Sequence, residues 1–145
     1  MAGAAAIFAQ VLRILQAPRP QTTTPFFSTS KRPRISLLAY TERLCTLMHC
    51  DPDCYVLALV YLERIAQKGA LDEATVHRSL LLSVVLAAKF WDDERCKNTF
   101  YAQVGGVPVE ELNELEVRFL RLLEFQLWVG EEVYEDYQRR LSVSC

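Results

Sequence analysis

The sequence predicts an all-α fold in which one central buried helix is surrounded by about four others, with an extra short helix at the N-terminus. Three observations carry this expectation. Apolar residues recur at intervals of three and four along most of the chain, and strand-like alternation is sustained nowhere. Of the 145 residues 51% are apolar, with only 5 Gly and 6 Pro, which is enough to build one packed core without disulfides. The stretch Leu80 to Ala88 is apolar around its whole circumference, as expected of a helix at the centre of a domain.

Taken in order, Ala4 to Gln16 reads as an amphipathic helix with Ile7, Val11, Ile14 and Leu15 on one side. Pro18 to Arg34 reads as a linker rich in Pro, Thr and Ser, so residues 1–34 form a leader and residues 35–145 a single domain. A helix over about Ser36 to His49 is expected to bury Leu37, Tyr40, Leu44, Leu47 and Met48. Asp51-Pro52 is a start signal, an N-cap followed by proline where the missing N–H costs nothing, and Gly69 ends the helix that carries Tyr55, Leu59, Leu62 and Ile65. The central helix starts near Asp72 or Thr75 and runs to about Asp92. Gly105-Gly106 marks a turn after a short helix. Pro108 opens the next helix, with Leu112, Leu115, Phe119, Leu122 and Leu123 inward and Glu110, Glu111 and Glu114 near its positive end. A last helix over Gly130 to Leu141 offers Val133, Tyr134 and Tyr137.

Charge and cysteine usage narrow the function classes. Residues 1–41 hold five basic residues and no acid, whereas the remainder holds all 18 acids against 11 basic residues. An acidic body disfavours nucleic-acid binding, which needs clustered positive charge. No apolar run approaches the roughly 20 residues of a membrane span. Five cysteines at irregular spacing, with no secretory cleavage pattern, point to a reducing intracellular compartment, cytoplasm or nucleus. Cys45, His49, Cys50 and Cys54 lack the paired Cys-x-x-Cys spacing of structural zinc sites and read as core thiols. Lys31-Arg32-Pro33-Arg34 reads either as a nuclear address or as a solvating cluster. No phosphate-binding glycine loop and no set of nucleophile, base and orienting group can be assembled, so neither a cofactor nor a small-molecule substrate is indicated.

One residue stands out chemically. Lys89 ends an otherwise wholly apolar helix interior, and desolvating an ammonium is costly unless a carboxylate or carbonyl receives it. Around it lie Ile35-Ser36-Leu37-Leu38-Ala39-Tyr40, Thr75-Val76-His77-Arg78-Ser79-Leu80-Leu81-Leu82, Ala87-Ala88-Lys89-Phe90, the run Asn98 to Val107 (NTFYAQVGGV) and Glu111-Leu112-Asn113-Glu114-Leu115-Glu116. In order and spacing these segments, from about Pro33 to Leu141, resemble a cyclin box, and specifically the P-type and U-type cyclins related to the yeast phosphate-response cyclin.

The resemblance implies a five-helix bundle around its third helix and a regulatory subunit of a cyclin-dependent protein kinase. It implies that Lys89 reaches backbone carbonyls beside the kinase's αC helix, with Glu116 as its carboxylate partner. Leu86, Phe90, Val117, Leu120 and Phe125 fall on apolar contacts for that helix. No chemistry is implied in the chain itself: a partner that binds only the inward αC state shifts the kinase toward competence. The Met-Arg-x-Ile-Leu-x-x-Trp-type substrate-docking motif of cell-cycle cyclins is absent, and the length leaves room for one box. Two other classes stand beside this reading. A non-activating adaptor of the same fold would present a basic face, and a small helical enzyme would need clustered titratable groups.

Overall fold

The computed structural model describes residues 3–17, 34–92 and 96–143. Among them are seven helices: α1 (Ala4–Gln16), α2 (Leu37–Leu47), α3 (Pro52–Gln67), α4 (Val76–Trp91), α5 (Asn98–Gly105), α6 (Val109–Leu122) and α7 (Glu131–Val143). The linker and the basic cluster read from the sequence lie, apart from Arg34, outside the described residues.

Local chemistry sets the helix ends. Ser36 Oγ accepts from the Ala39 N–H at 3.1 Å and starts α2, and Asp51 Oδ1 accepts from the Asp53 N–H at 3.0 Å ahead of Pro52. At the end of α3, Gly69 takes a left-handed φ of 74°, which brings the Ala70 N–H back to the Ile65 carbonyl at 3.2 Å. The start of α4 falls at Val76. A local hydrogen-bonded turn holds residues 72–75 outside it: Asp72 Oδ1 accepts from the Ala74 and Thr75 N–H groups, both at 2.9 Å.

The core is organised around two helices. From Val76 to Ala88 nearly every residue of α4 is buried, and α3 is buried just as thoroughly, from Cys54 through Leu62 and again at Ile65 and Ala66. Sequence periodicity marks only one face of α3. Its other sides are covered because α1 and α7 pack on it as well as α4. The N-terminal helix thus belongs to the core, with Ile7, Val11 and Ile14 almost fully enclosed.

Two expected core residues, Leu47 and Val133, are exposed, and Leu15, Leu37, Leu122 and Tyr134 are half-buried against the core. Leu47 is the last residue of α2, and its neighbour Met48 takes the inward position there. On α7 the buried residues are Tyr137 and Leu141; Val133 lies one turn earlier on the same stripe, in the first turn of the helix, where it is left exposed.

The Gly105-Gly106 pair makes a close approach possible. A β-carbon at Gly105 would stand 2.3 Å from Leu81 Cδ2, so α5 lies directly on the central helix only because that carbon is missing. Gly106 ends α5 with φ 69°. Tyr40 donates to the Gly105 carbonyl at 2.7 Å and Arg43 to the Val104 carbonyl at 2.6 Å, tying α2 to the same turn. His77, at the start of α4, contacts the Ile35 carbonyl through Nε2 at 2.8 Å, a structural tie across the entrance to α2. No helix among the described residues is long and apolar enough to cross a membrane.

Candidate functional site

The site begins with the anomaly in the central helix. Lys89 lies in the last turn of α4, where the apolar interior reaches the surface, and its side chain keeps 29% of its exposure. Its Nζ donates to Glu116 Oε2 of α6 at 2.6 Å, and the Glu116 side chain is only 16% exposed. The ammonium also stands 6.0 Å from the ring centroid of Tyr101, so both a carboxylate and an aromatic face receive it.

Glu116 is held from its other side as well. Asn98, the first residue of α5, donates through Nδ2 to Glu116 Oε1 at 3.1 Å and to Asn113 Oδ1 at 2.7 Å. Three helices therefore fix one carboxylate, and both of its oxygens are engaged. A charged group constrained in this way presents a set direction to anything that docks beside it.

Apolar side chains flank the pair. Phe90, Val117 and Phe125 are exposed at 45%, 45% and 65%, although residues of this kind usually supply the core. Leu120 is half-buried and packs against the core, and Leu86 lies beneath the surface at 3% exposure. Lys89 and Glu116 are thus joined, and Phe90 and Phe125 line one hollow; Val117 and Leu120 lie on α6 near Glu116 in sequence, and Leu86 lies one turn before Phe90 on α4, none of the three in that hollow's lining.

That hollow, shallow and of about 430 Å³, is completed by Gln126, Leu127 and Trp128. The segment after α6 gives no signal in the sequence, because an extended run has no helical period. Its geometry is unusual. Glu124 and Phe125 both take left-handed φ values, 56° and 57°, costly for residues with a β-carbon. The turn is stabilised by the Phe125 N–H on the Leu120 carbonyl at 2.9 Å and the Gln126 N–H on the Leu123 carbonyl at 3.0 Å.

Beyond that turn α3 clamps the chain. Arg64 donates to the carbonyls of Gln126 at 3.0 Å and Trp128 at 3.1 Å, and the buried Tyr61 hydroxyl donates to the Leu127 carbonyl at 2.6 Å. Burial pushes the Tyr61 phenol well above its ordinary pKa, so it stays a donor at physiological pH. With its carbonyls tied down, the segment displays Trp128 at 74% exposure. Trp91 stacks on Tyr134 of α7 at 6.3 Å and extends the aromatic surface.

Among the described residues no group of three or more His, Cys, Asp or Glu side chains could hold a metal ion. The arrangement is an apolar face with a fixed ion pair at its rim, suited to receiving an amphipathic helix.

Comparison with known proteins bears on the family. The cyclin family model matches residues 6–127, from α1 to the clamped segment. The chain is 43% identical over 114 residues to Cyclin-U4-2 of Arabidopsis thaliana, covering 77% of this chain and 53% of that protein. It is 39% identical over 131 residues to Cyclin-P3-1 of Oryza sativa subsp. japonica, covering 89% of this chain and 56% of the relative. Cyclin-P4-1 of the same rice is 40% identical over 114 residues, 77% of this chain and 54% of that one. The chain thus spans about half the length of the curated relatives it matches. Matched by the family model over most of its length and by relatives of P and U type at about 40% identity, the chain belongs to the cyclin family as a cyclin-box protein of the P/U type.

Proposed function

We propose that the protein is a regulatory subunit that binds a cyclin-dependent kinase through the kinase's αC helix and shifts it to the active conformation. The observation that carries this reading is the Lys89–Glu116 pair at the rim of the exposed Phe90, Val117 and Phe125 face. An amphipathic helix laid on that face buries its apolar side against the aromatics, and its carbonyl end meets the Lys89 ammonium. The apolar face supplies most of the free energy, and the charge sets register. Activation follows from population shift. Moving a kinase from 1:99 to 99:1 in favour of the inward state takes about 5.5 kcal/mol of differential affinity. Membership of a cyclin family supports this reading, and so does the absence of clustered titratable groups from the hollow beside Phe90.

The experiment is titration of the wild-type protein and of the Lys89→Ala/Glu116→Ala variant against a panel of purified monomeric cyclin-dependent kinases, with binding and kinase activity measured together. Wild type is expected to bind and activate at least one kinase. The double variant, with unchanged helicity, is expected to lose about 2–5 kcal/mol of that affinity. Equal binding by the folded variant would reject this interface, and failure to bind any kinase on the panel would reject the regulatory role.

A further inference from the structure

Trp128 is the most exposed large apolar side chain among the described residues, at 74%, yet its place is fixed from two directions. Its backbone carbonyl and that of Gln126 accept from Arg64, and the Leu127 carbonyl between them accepts from Tyr61, so α3 holds three successive carbonyls. Its ring leans on the entrance to α7. A β-carbon at Gly130 would lie 3.8 Å from Trp128 Cζ3 and 3.9 Å from Cη2, so the far edge of the indole passes just over Gly130. The turn that leads to this segment contains the two left-handed residues, Glu124 and Phe125.

Holding an indole in water brings nothing to the isolated chain, because apolar surface gains only when water is removed from it. A fixed and uncovered tryptophan suits a binding surface instead. Little freedom is left for it to lose on burial, and tryptophan is among the residue types enriched where binding energy concentrates.

Trp128 shares the lining of its hollow with Phe90 and Phe125. Those two phenylalanines belong to the face assigned above to the kinase αC helix. Whatever enters the hollow therefore stands next to that helix and comes from the same partner. Charge narrows its chemistry. Directly beyond Gly130 come Glu131 and Glu132, both exposed, and among the described residues neither stands in an ion pair. The Arg64 guanidinium is engaged with the two carbonyls, and Lys68 is matched by Glu124 at 3.6 Å. The uncompensated charge that follows the indole along the chain is negative.

On these grounds we propose that Trp128 is a specificity-determining contact for the kinase: it packs on a large apolar side chain of a kinase segment adjoining αC, and a lysine or arginine of that segment meets Glu131 or Glu132. The inference rests on the kinase-binding reading above and adds a second point of contact to it. Affinity then depends on what a kinase carries beside αC as well as on αC itself. A kinase with a glycine there leaves the indole wet, and one with an acidic residue brings like charge to the two carboxylates, so both are disfavoured.

The test uses the full chain and a purified kinase that wild type binds. With both tryptophans of the chain replaced by fluorotryptophan, fluorine NMR gives one resonance for Trp91 and one for Trp128, assigned with Trp128→Phe. Adding unlabelled kinase is expected to shift the Trp128 resonance and to abolish its response to heavy water. Trp128→Ala is expected to weaken binding about 10- to 100-fold, mainly through faster dissociation and with unchanged helicity, and Trp128→Phe to recover most of the loss. Glu131→Gln/Glu132→Gln is expected to slow association at low ionic strength, a difference that vanishes in about 1 M salt. Unchanged association would overturn the basic neighbour. A Trp128 resonance that stays still on kinase binding would overturn the whole inference. So would full affinity of Trp128→Ala for a kinase that the Lys89→Ala/Glu116→Ala variant no longer binds, and the reading of Lys89 and Glu116 would then stand alone. A wild-type chain that binds no kinase would reject both. The fluorine measurement decides the matter even if Trp128→Ala fails to fold.

Discussion

Asn98 gives both of its amide hydrogens away, one to Glu116 Oε1 at 3.1 Å and the other to Asn113 Oδ1 at 2.7 Å, and its own Oδ1 is buried with no partner. Leaving a buried acceptor unsatisfied costs about 1–3 kcal/mol, so this residue trades stability for a fixed carboxylate. Asn98→Ala removes the orphan acceptor along with the restraint. Urea denaturation is expected to show a stability change within about 1 kcal/mol, because the lost hydrogen bonds and the relieved orphan offset each other. Affinity for a kinase that binds wild type is expected to fall by about 1–2 kcal/mol, less than for the Lys89/Glu116 double variant, because Glu116 keeps Lys89 but loses its orientation. Undiminished affinity would remove Asn98 from the docking machinery.

Gly105 is expected to be among the least replaceable positions. The carbon added by Gly105→Ala meets Leu81 Cδ2 at 2.3 Å and Cδ1 at 2.7 Å, and Leu81 is itself fully enclosed and has no room to yield. Overpacking of this kind costs about 1–3 kcal/mol. Here it also pushes α5 off α4 and strains the Tyr40 bond to the Gly105 carbonyl. The check is the urea midpoint of the variant. An unchanged midpoint would show that α5 does not approach α4 this closely.

Tyr61→Phe separates the shape of the core from the clamp on the aromatic segment. The phenyl ring keeps the buried volume, but the Leu127 carbonyl loses the hydroxyl that donates to it at 2.6 Å. A loss of about 1–2 kcal/mol is expected, with faster amide hydrogen exchange confined to the segment around Gln126 and Trp128. Arg64→Ala should accelerate exchange in the same place, because it frees the Gln126 and Trp128 carbonyls. Exchange accelerated evenly across the protein would contradict a local clamp.

Alkaline stability should follow the buried phenols. Burial raises the pKa of Tyr40 and Tyr61 above the ordinary value near 10. Below about pH 10 both phenols are neutral in the folded and unfolded states, and their contribution is fully present. As pH rises further the unfolded chain ionises while the folded protein must keep the protons. Stability then falls by about 1.4 kcal/mol per pH unit for each such tyrosine. Tyrosinate absorbance and helical circular dichroism recorded together above pH 10 are expected to show the last phenols ionising along with loss of helicity. Full ionisation of the six tyrosines in a still-helical protein would refute this.

Much of this molecule is written in its local chemistry. Three- and four-residue apolar spacing, Ser36 and Asp51 as caps, Pro52 and Pro108 at helix starts, and Gly69 and Gly106 at helix ends suffice to place the helices to within a few residues. Lys89 is conspicuous for the same reason, since a single ammonium at the end of an apolar helix is an electrostatic anomaly whatever packs around it.

Tertiary structure decided which apolar residues go inside. Periodicity assigns Leu86 and Phe90 to one helix four residues apart, yet the packing of the neighbouring helices on α4 buries the first and leaves the second in solvent. The same holds for α3, whose second and third faces are covered by α1 and α7, helices remote in sequence. Asn98 has the local character of an ordinary helix-start residue, and Arg64 and Tyr61 that of ordinary members of α3. Their roles arise from hydrogen bonds spanning 18, 62 and 66 residues, respectively. Local sequence determined the helices and the one misplaced charge, because propensity and capping act within a turn or two. The exposed apolar face and the clamp were decided by the fold, because only long-range packing determines which side chains meet and which are left without cover.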